Sequence, residues 1–162
     1  MSSRKSQIIG QVFIYILAII IFSGILLYGY KIIKGFSNKA DDVTFIQLTT
    51  DLKTSVKKIK SDYGTVIKKE LRIPGKYSTI CFIDLDYLAE ISLQDEHPAV
   101  YNSWKDKTKE NMFLITATED IQPYHIEGIK ISSKYNCMAV NQGKILLRLE
   151  GKGEYVELSE WE

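Results

Sequence analysis

Residues 6–30 read SQIIGQVFIYILAIIIFSGILLYGY, a run from Ser6 to Tyr30 that contains no Asp, Glu, Lys, Arg or His. Fourteen of its side chains are Ile, Leu, Val or Phe. At a few tenths of a kcal/mol each, they favour membrane insertion by roughly 5 kcal/mol. Twenty-five residues at about 1.5 Å rise give roughly 37 Å of helix, against a hydrocarbon core of about 30 Å. The run therefore predicts a transmembrane helix, a signal anchor with the lipid bilayer as its first partner. A cleavable secretory signal has a shorter apolar core followed by a small-x-small site, which Leu26-Leu27-Tyr28-Gly29-Tyr30-Lys31 does not offer. The flanks fit a span: Arg4 and Lys5 precede it, Lys31 and Lys34 follow it, and Tyr28 and Tyr30 stand where interfacial aromatics anchor a helix.

Orientation is not decided by charge. Arg4, Lys5 and the α-amine oppose Lys31, Lys34 and Lys39, three against three. Cys81 and Cys137 are the only cysteines of the 162 residues, and two readings of them stay open. They form one disulfide if this part of the chain faces an oxidising compartment, closing a loop of about 57 residues for about 4 kcal/mol in the chain-entropy model. Otherwise they pack as two small buried hydrophobes. The first reading places an extracytoplasmic head on a single-pass protein of the cell membrane.

Beyond the span, 35–42 is a short polar stretch and the expected linker between a segment 1–34 and a soluble domain 43–162. From Asp41 onward there are 16 Lys and Arg against 20 Asp and Glu, a net of −4. A phosphate-binding surface shows a basic surplus, so nucleic acid is not an expected partner. From Val43 to Tyr63 the residues Phe45, Leu48, Leu52, Val56, Ile59 and Tyr63 step by three or four, the signature of a second, amphipathic helix. Asp41 or Asp42 is its expected cap, and Gly64 its stop.

Short apolar runs follow, separated by turn signals: strands are expected at 65–73, 78–85, 111–116 and 124–131, with a short helix at 87–93. The polar stretch from Gln94 to Glu110 reads as a surface loop. Three further strands, 135–140, 144–150 and 155–158, are joined through Gly143 and through Gly151-Lys152-Gly153, a C-terminal meander. The expected fold class is α+β: a transmembrane helix, then an amphipathic helix packed on an antiparallel sheet.

Most chemistries lack their residues. His97 and His125 lie 28 positions apart with no Cys-x-x-Cys, which argues against zinc, and neither a P-loop nor a Gly-x-Gly-x-x-Gly cradle occurs. No cofactor, small-molecule substrate or enzymatic activity is expected. A dyad of Cys81 with His97 or His125 has no local support. Asp84-Leu85-Asp86 places two carboxylates on one strand face, able to grip a divalent cation. The run Cys81-Phe82-Ile83-Asp84-Leu85-Asp86 resembles the first motif of haloacid-dehalogenase phosphatases, though Tyr87-Leu88 stands where that family has Gly-Thr. The competing role for Asp84 is to cap the helix at Tyr87.

The order of short basic leader, apolar helix, second helix and antiparallel sheet resembles type IV pilins and pseudopilins. That likeness implies cleavage at Gly10-Gln11 and self-association through the apolar helix. Ile9 stands where a basic residue is usual, and Tyr15 where many bacterial members carry Glu. The runs Cys81-Phe82 and Asn111-Met112-Phe113-Leu114 are also similar to single-pass proteins of small-genome archaea, a likeness that names no activity. Three functions are carried forward: a membrane-anchored structural or interaction protein with Tyr101 and Trp104 as its expected partner surface, a pilin-like subunit, and a metal-dependent enzyme using Asp84 and Asp86.

Overall fold

The first proline is Pro74, so nothing in the leading part of the chain lacks a backbone donor. In the computed structural model, which describes the backbone of residues 4–161 and the side chains of 12–32 and 39–161, a single helix α1 spans Arg4–Ile59. The expected linker at 35–42 is helical. Its Gly, Ser and Asn are weak breakers, costing at most about 1 kcal/mol each against Ala, and no proline enforces a stop. The chain divides into two compact units, Met1–Ala40 and Asp41–Glu162, a boundary that falls inside that stretch.

In the first unit, Val12–Ile32 is 21 residues of mean hydropathy 2.5, with none of it buried in the protein. Its large apolar side chains are about half or more exposed on every side, Leu27 and Tyr28 reaching 75%. An amphipathic surface helix hides one face; this one hides none. It is long and apolar enough to cross a membrane.

In the second unit, the rear of α1 buries Leu48, Leu52, Val56 and Ile59, the expected stripe. The stripe ends there. Tyr63 is 82% exposed, because the helix stops at Ile59 and a turn closes on Gly64 at φ 80°. Asp41 caps no helix start; its carboxylate accepts the N–H of Gly75 at 3.1 Å.

Eight strands form two four-stranded sheets: β1 (Val66–Arg72), β2 (Tyr77–Ile83), β3 (Met112–Thr116), β4 (Ile121–Tyr124), β5 (Ile129–Ile131), β6 (Tyr135–Ala139), β7 (Lys144–Gly151) and β8 (Val156–Glu160). One sheet has the order β1-β7-β8-β5, the other β4-β3-β2-β6. All pairs are antiparallel except β5 with β8. The C-terminal strand series is thus shared out: β7 and β8 form a hairpin, while β6 joins β2 in the other sheet. The single strand expected at 124–131 is two, β4 and β5, one in each sheet, parted where Gly128 takes φ 76°.

The central strands β2 and β3 alternate between two cores. Ile80, Phe82, Met112 and Leu114 join the rear of α1 and the inner face of the first sheet. Cys81, Ile83, Phe113 and Ile115 face the other way. Two short helices cover that second face, α2 (Ile91–Glu96) and α3 (Pro98–Lys105), through Leu93, Val100 and Trp104. The expected surface loop at 94–110 therefore holds the end of α2 and all of α3. Pro98 at the first helical turn and the four-residue step from Val100 to Trp104 fix it as a helix despite its polar composition.

The outer face of the first sheet carries charge. Lys152 lies 2.5 Å from Glu150 and 2.9 Å from Glu157. The hydrogen bond from Lys152 holds Glu150 below the usual carboxylate range, and Glu150 then Glu157 push Lys152 above the usual lysine range. The depressed Glu150 contributes stability above its ordinary pKa of 4.5 that is lost as pH falls through its lower folded value; the raised Lys152 contributes until strongly alkaline pH. Lys152→Met is expected to shrink the difference in urea midpoint between pH 7 and pH 3, and 1 M salt to erase most of the effect. A variant whose acid sensitivity equals the parent's would remove this triad from the pH response.

Candidate functional site

Two features of the second unit gather chemistry-bearing residues. The first is an open groove of about 500 Å³ between the 85–89 segment and α3 with the turn after it. Tyr101 and Trp104 both line it, but not as projecting contacts. Trp104 is 3% exposed, its Nε1 donating to the carbonyl of Tyr87 at 3.1 Å, so it forms a floor; Tyr101 is half-buried beside it. Of the expected partner surface, both residues therefore lie in the groove wall, and the burial of Trp104 follows from its place in the core under β2 and β3. Exposed apolar groups come instead from the preceding segment: Leu88 is 80% and Tyr87 51% exposed. Lys105, Lys107 and Lys109 rim the groove, and its one lining carboxylate, Asp86, is ion-paired with Lys130 at 2.6 Å.

Asp84 and Asp86 do not converge on a common point. Asp84 is buried, its two oxygens accepting the N–H of Asp86 at 3.0 Å and of Ile131 at 3.4 Å. It caps a turn rather than the expected helix at 87–93, since α2 begins only at Ile91. Asp86 points to Lys130, whose pKa it raises by hydrogen bond and charge. Lys134 is paired in the same way with Glu90.

The second feature is the cysteine pair. Cys81 on β2 lies directly opposite Cys137 on β6, Cα atoms 4.0 Å apart, and the two are joined as a disulfide. His97, at the junction of α2 and α3, brings a ring nitrogen to within 4.8 Å of both sulfurs. Sequence spacing gave no sign of this meeting; the signal is tertiary, because β2, β6 and the α2–α3 corner share one core.

Of the membrane-flanking residues, Tyr28, Tyr30 and Lys31 are exposed. Arg4, Lys5 and Lys34, and Gly10 and Gln11 where cleavage is expected, lie outside the residues whose side chains are described. No protein-family model, curated protein or solved structure matches this chain.

Proposed function

We propose that this chain is a single-pass membrane-anchored interaction protein. Its α+β head stands on the extracytoplasmic side, and its groove docks an acidic segment of a partner protein. One observation supports anchoring above all: Val12–Ile32 exposes apolar side chains on every side over 21 residues, a surface that water penalises and lipid does not. The disulfide favours the oxidising side of the membrane. The groove favours a partner that inserts an apolar side chain against Trp104 while its carboxylates meet Lys105, Lys107 and Lys109.

Membrane attachment is tested by alkaline carbonate extraction. The full chain is expected to stay in the membrane pellet and to leave it only with detergent; recovery in the supernatant would overturn the proposal. Sidedness is read by treating intact cells with an impermeant reductant followed by an impermeant maleimide. Labelling of Cys81 and Cys137 supports the outer side, and labelling only after lysis reverses it. A pilin-like subunit is the second reading, favoured by an apolar helical segment that precedes an α+β head in the chain. Mature chains beginning at Gln11 support it, and chains that retain residues 1–10 remove it.

A further inference from the structure

Cys81, Cys137 and His97 lie together in one cluster. We infer that they are a two-state centre: a disulfide when oxidised and, once reduced, a three-ligand site for a zinc-type dication. The three donor atoms already lie within 4.8 Å of one another. In a tetrahedral zinc site, with bonds of about 2.3 Å to sulfur and 2.0 Å to nitrogen, neighbouring donors sit about 3.5–3.8 Å apart. Once the S–S bond is broken, rotation of the two cysteine side chains about Cα–Cβ is the motion that sets the sulfurs apart toward that spacing.

His97 is built into its place. Its backbone N–H donates to Leu93 at 2.8 Å and its carbonyl accepts the N–H of Tyr101 at 3.1 Å, pinning it between the two helices. Its Nδ1 is nonetheless buried with no hydrogen-bond partner among the described residues. Such an orphan is uncommon and unfavourable, and a ligand that occupies the imidazole's acceptor capacity removes the cost.

The surroundings select the ion. Leu93, Val100, Trp104, Phe113 and Ile115 make an apolar shell around Cys81. Two thiolates alone are expensive there, and so is a lone cation. Two thiolates, one dication and a neutral imidazole sum to zero charge, which makes the loaded site compatible with its shell. A monovalent copper leaves a net −1, and calcium or magnesium require oxygen donors that the site lacks. Three protein ligands leave the fourth position of a tetrahedral ion to water.

The steps balance. A dithiol reductant attacks the Cys81–Cys137 bond, ends as its own cyclic disulfide, and leaves two protein thiols. The dication then displaces two protons from those thiols as it binds. Oxidation of the thiolates by a disulfide-bearing oxidant reverses both steps and expels the metal.

The test uses the full chain in detergent, reduced with a dithiol that is then removed under argon, with Co²⁺ as a spectroscopic probe. The expected result is one Co²⁺ per chain with tetrahedral d–d bands and a sulfur-to-cobalt charge-transfer band, displaced by equimolar Zn²⁺, and close to two protons released per ion. Cys137→Ser cuts the charge-transfer band to half or less, and both His97→Ala and His97→Gln weaken binding by more than about tenfold. The proposal is overturned by the absence of a charge-transfer band in the reduced protein, by equal uptake in the oxidised protein, or by unchanged affinity in both His97 variants. A near-UV signal lost on reduction and not restored by cobalt overturns it equally. Membrane extraction is independent of all these readouts, so the two proposals fail separately.

Discussion

Gly151→Ala is expected to destabilise the head by about 3 kcal/mol or more, the upper range for forcing atoms into a filled space. A Cβ at this position would sit 2.2 Å from the carbonyl oxygen of Ile59 and 2.4 Å from that of Asp62. Both obstacles are backbone, one at the last residue of α1 and one in the turn after it, so no side chain can swing aside. The glycine cannot retreat either. Its N–H donates to Thr65 at 2.9 Å and its carbonyl accepts from Gly64 at 2.8 Å, tying the end of β7 to the chain that leaves α1. Relief requires prising the helix end from the sheet that it covers. Gly153→Ala is the control: no atom lies within 4 Å of its Cβ position, and its φ of 87° makes the cost that of a left-handed alanine, about 1–2 kcal/mol. Urea unfolding of the full chain in detergent, followed by far-UV dichroism, ranks the two. If Gly151→Ala proved no worse than Gly153→Ala, the close approach of α1 to β7 would be wrong.

That glycine marks the limit of what a single sequence discloses. Gly151 and Gly153 read alike as turn residues, and only Gly153 has the positive φ of one; Gly151 is the last residue of a strand, kept small by the helix end at Ile59 and the turn at Asp62, far earlier in the chain. Local periodicity was legible. The apolar run around Val12–Ile32 and the stripe Leu48, Leu52, Val56 and Ile59 appear where residue spacing puts them, because each depends on neighbours three or four positions away. Pairing was not. Nothing in Tyr135–Ala139 says that it joins β2 rather than β7, and nothing in Ile129–Ile131 says that it runs parallel to β8, since strand choice is made by cores that assemble from distant segments. The groove and the cysteine–histidine centre share that origin. Tyr101 and Trp104 were visible as aromatic residues in a polar stretch, but their half-buried and buried roles depend on Tyr87 and on the underside of β2 and β3. His97 meets its cysteines only because α2 and α3 fold back over the same sheet face.

Asn111→Asp is the second large effect, and its sign with pH separates it from the rest of the molecule. Asn111 is buried, and its side chain acts as a detached piece of strand: Nδ2 donates to the carbonyl of Ile126 at 2.9 Å while Oδ1 accepts the N–H of Ile126 at 2.8 Å. Its own backbone is engaged as well, donating to Tyr124 at 3.1 Å and accepting from Ile83 at 3.0 Å. Asn111→Ala leaves two buried backbone groups of Ile126 without partners, for about 2–4 kcal/mol in sum. An ionised aspartate is worse than alanine, because it keeps the acceptor, removes the donor, and sets a buried charge against the Ile126 carbonyl. Burial and that carbonyl raise the folded pKa of such an aspartate above its unfolded value of about 3.9, since the protonated acid alone supplies a donor. Stability of the variant is therefore expected to rise as pH falls from 7 toward 4.5, where the parent, with Glu70 and Glu150 held low by Lys144 and Lys152, gains nothing. Urea midpoints at the two pH values check this, and an Asn111→Asp variant whose deficit does not shrink on acidification sinks the donor argument. The clamp fixes the position that follows His125, a residue of the groove wall, at the point where the chain leaves one sheet for the other. Under the proposed function, its loss is accordingly expected to weaken binding of an acidic peptide at the groove even under conditions where the head stays folded.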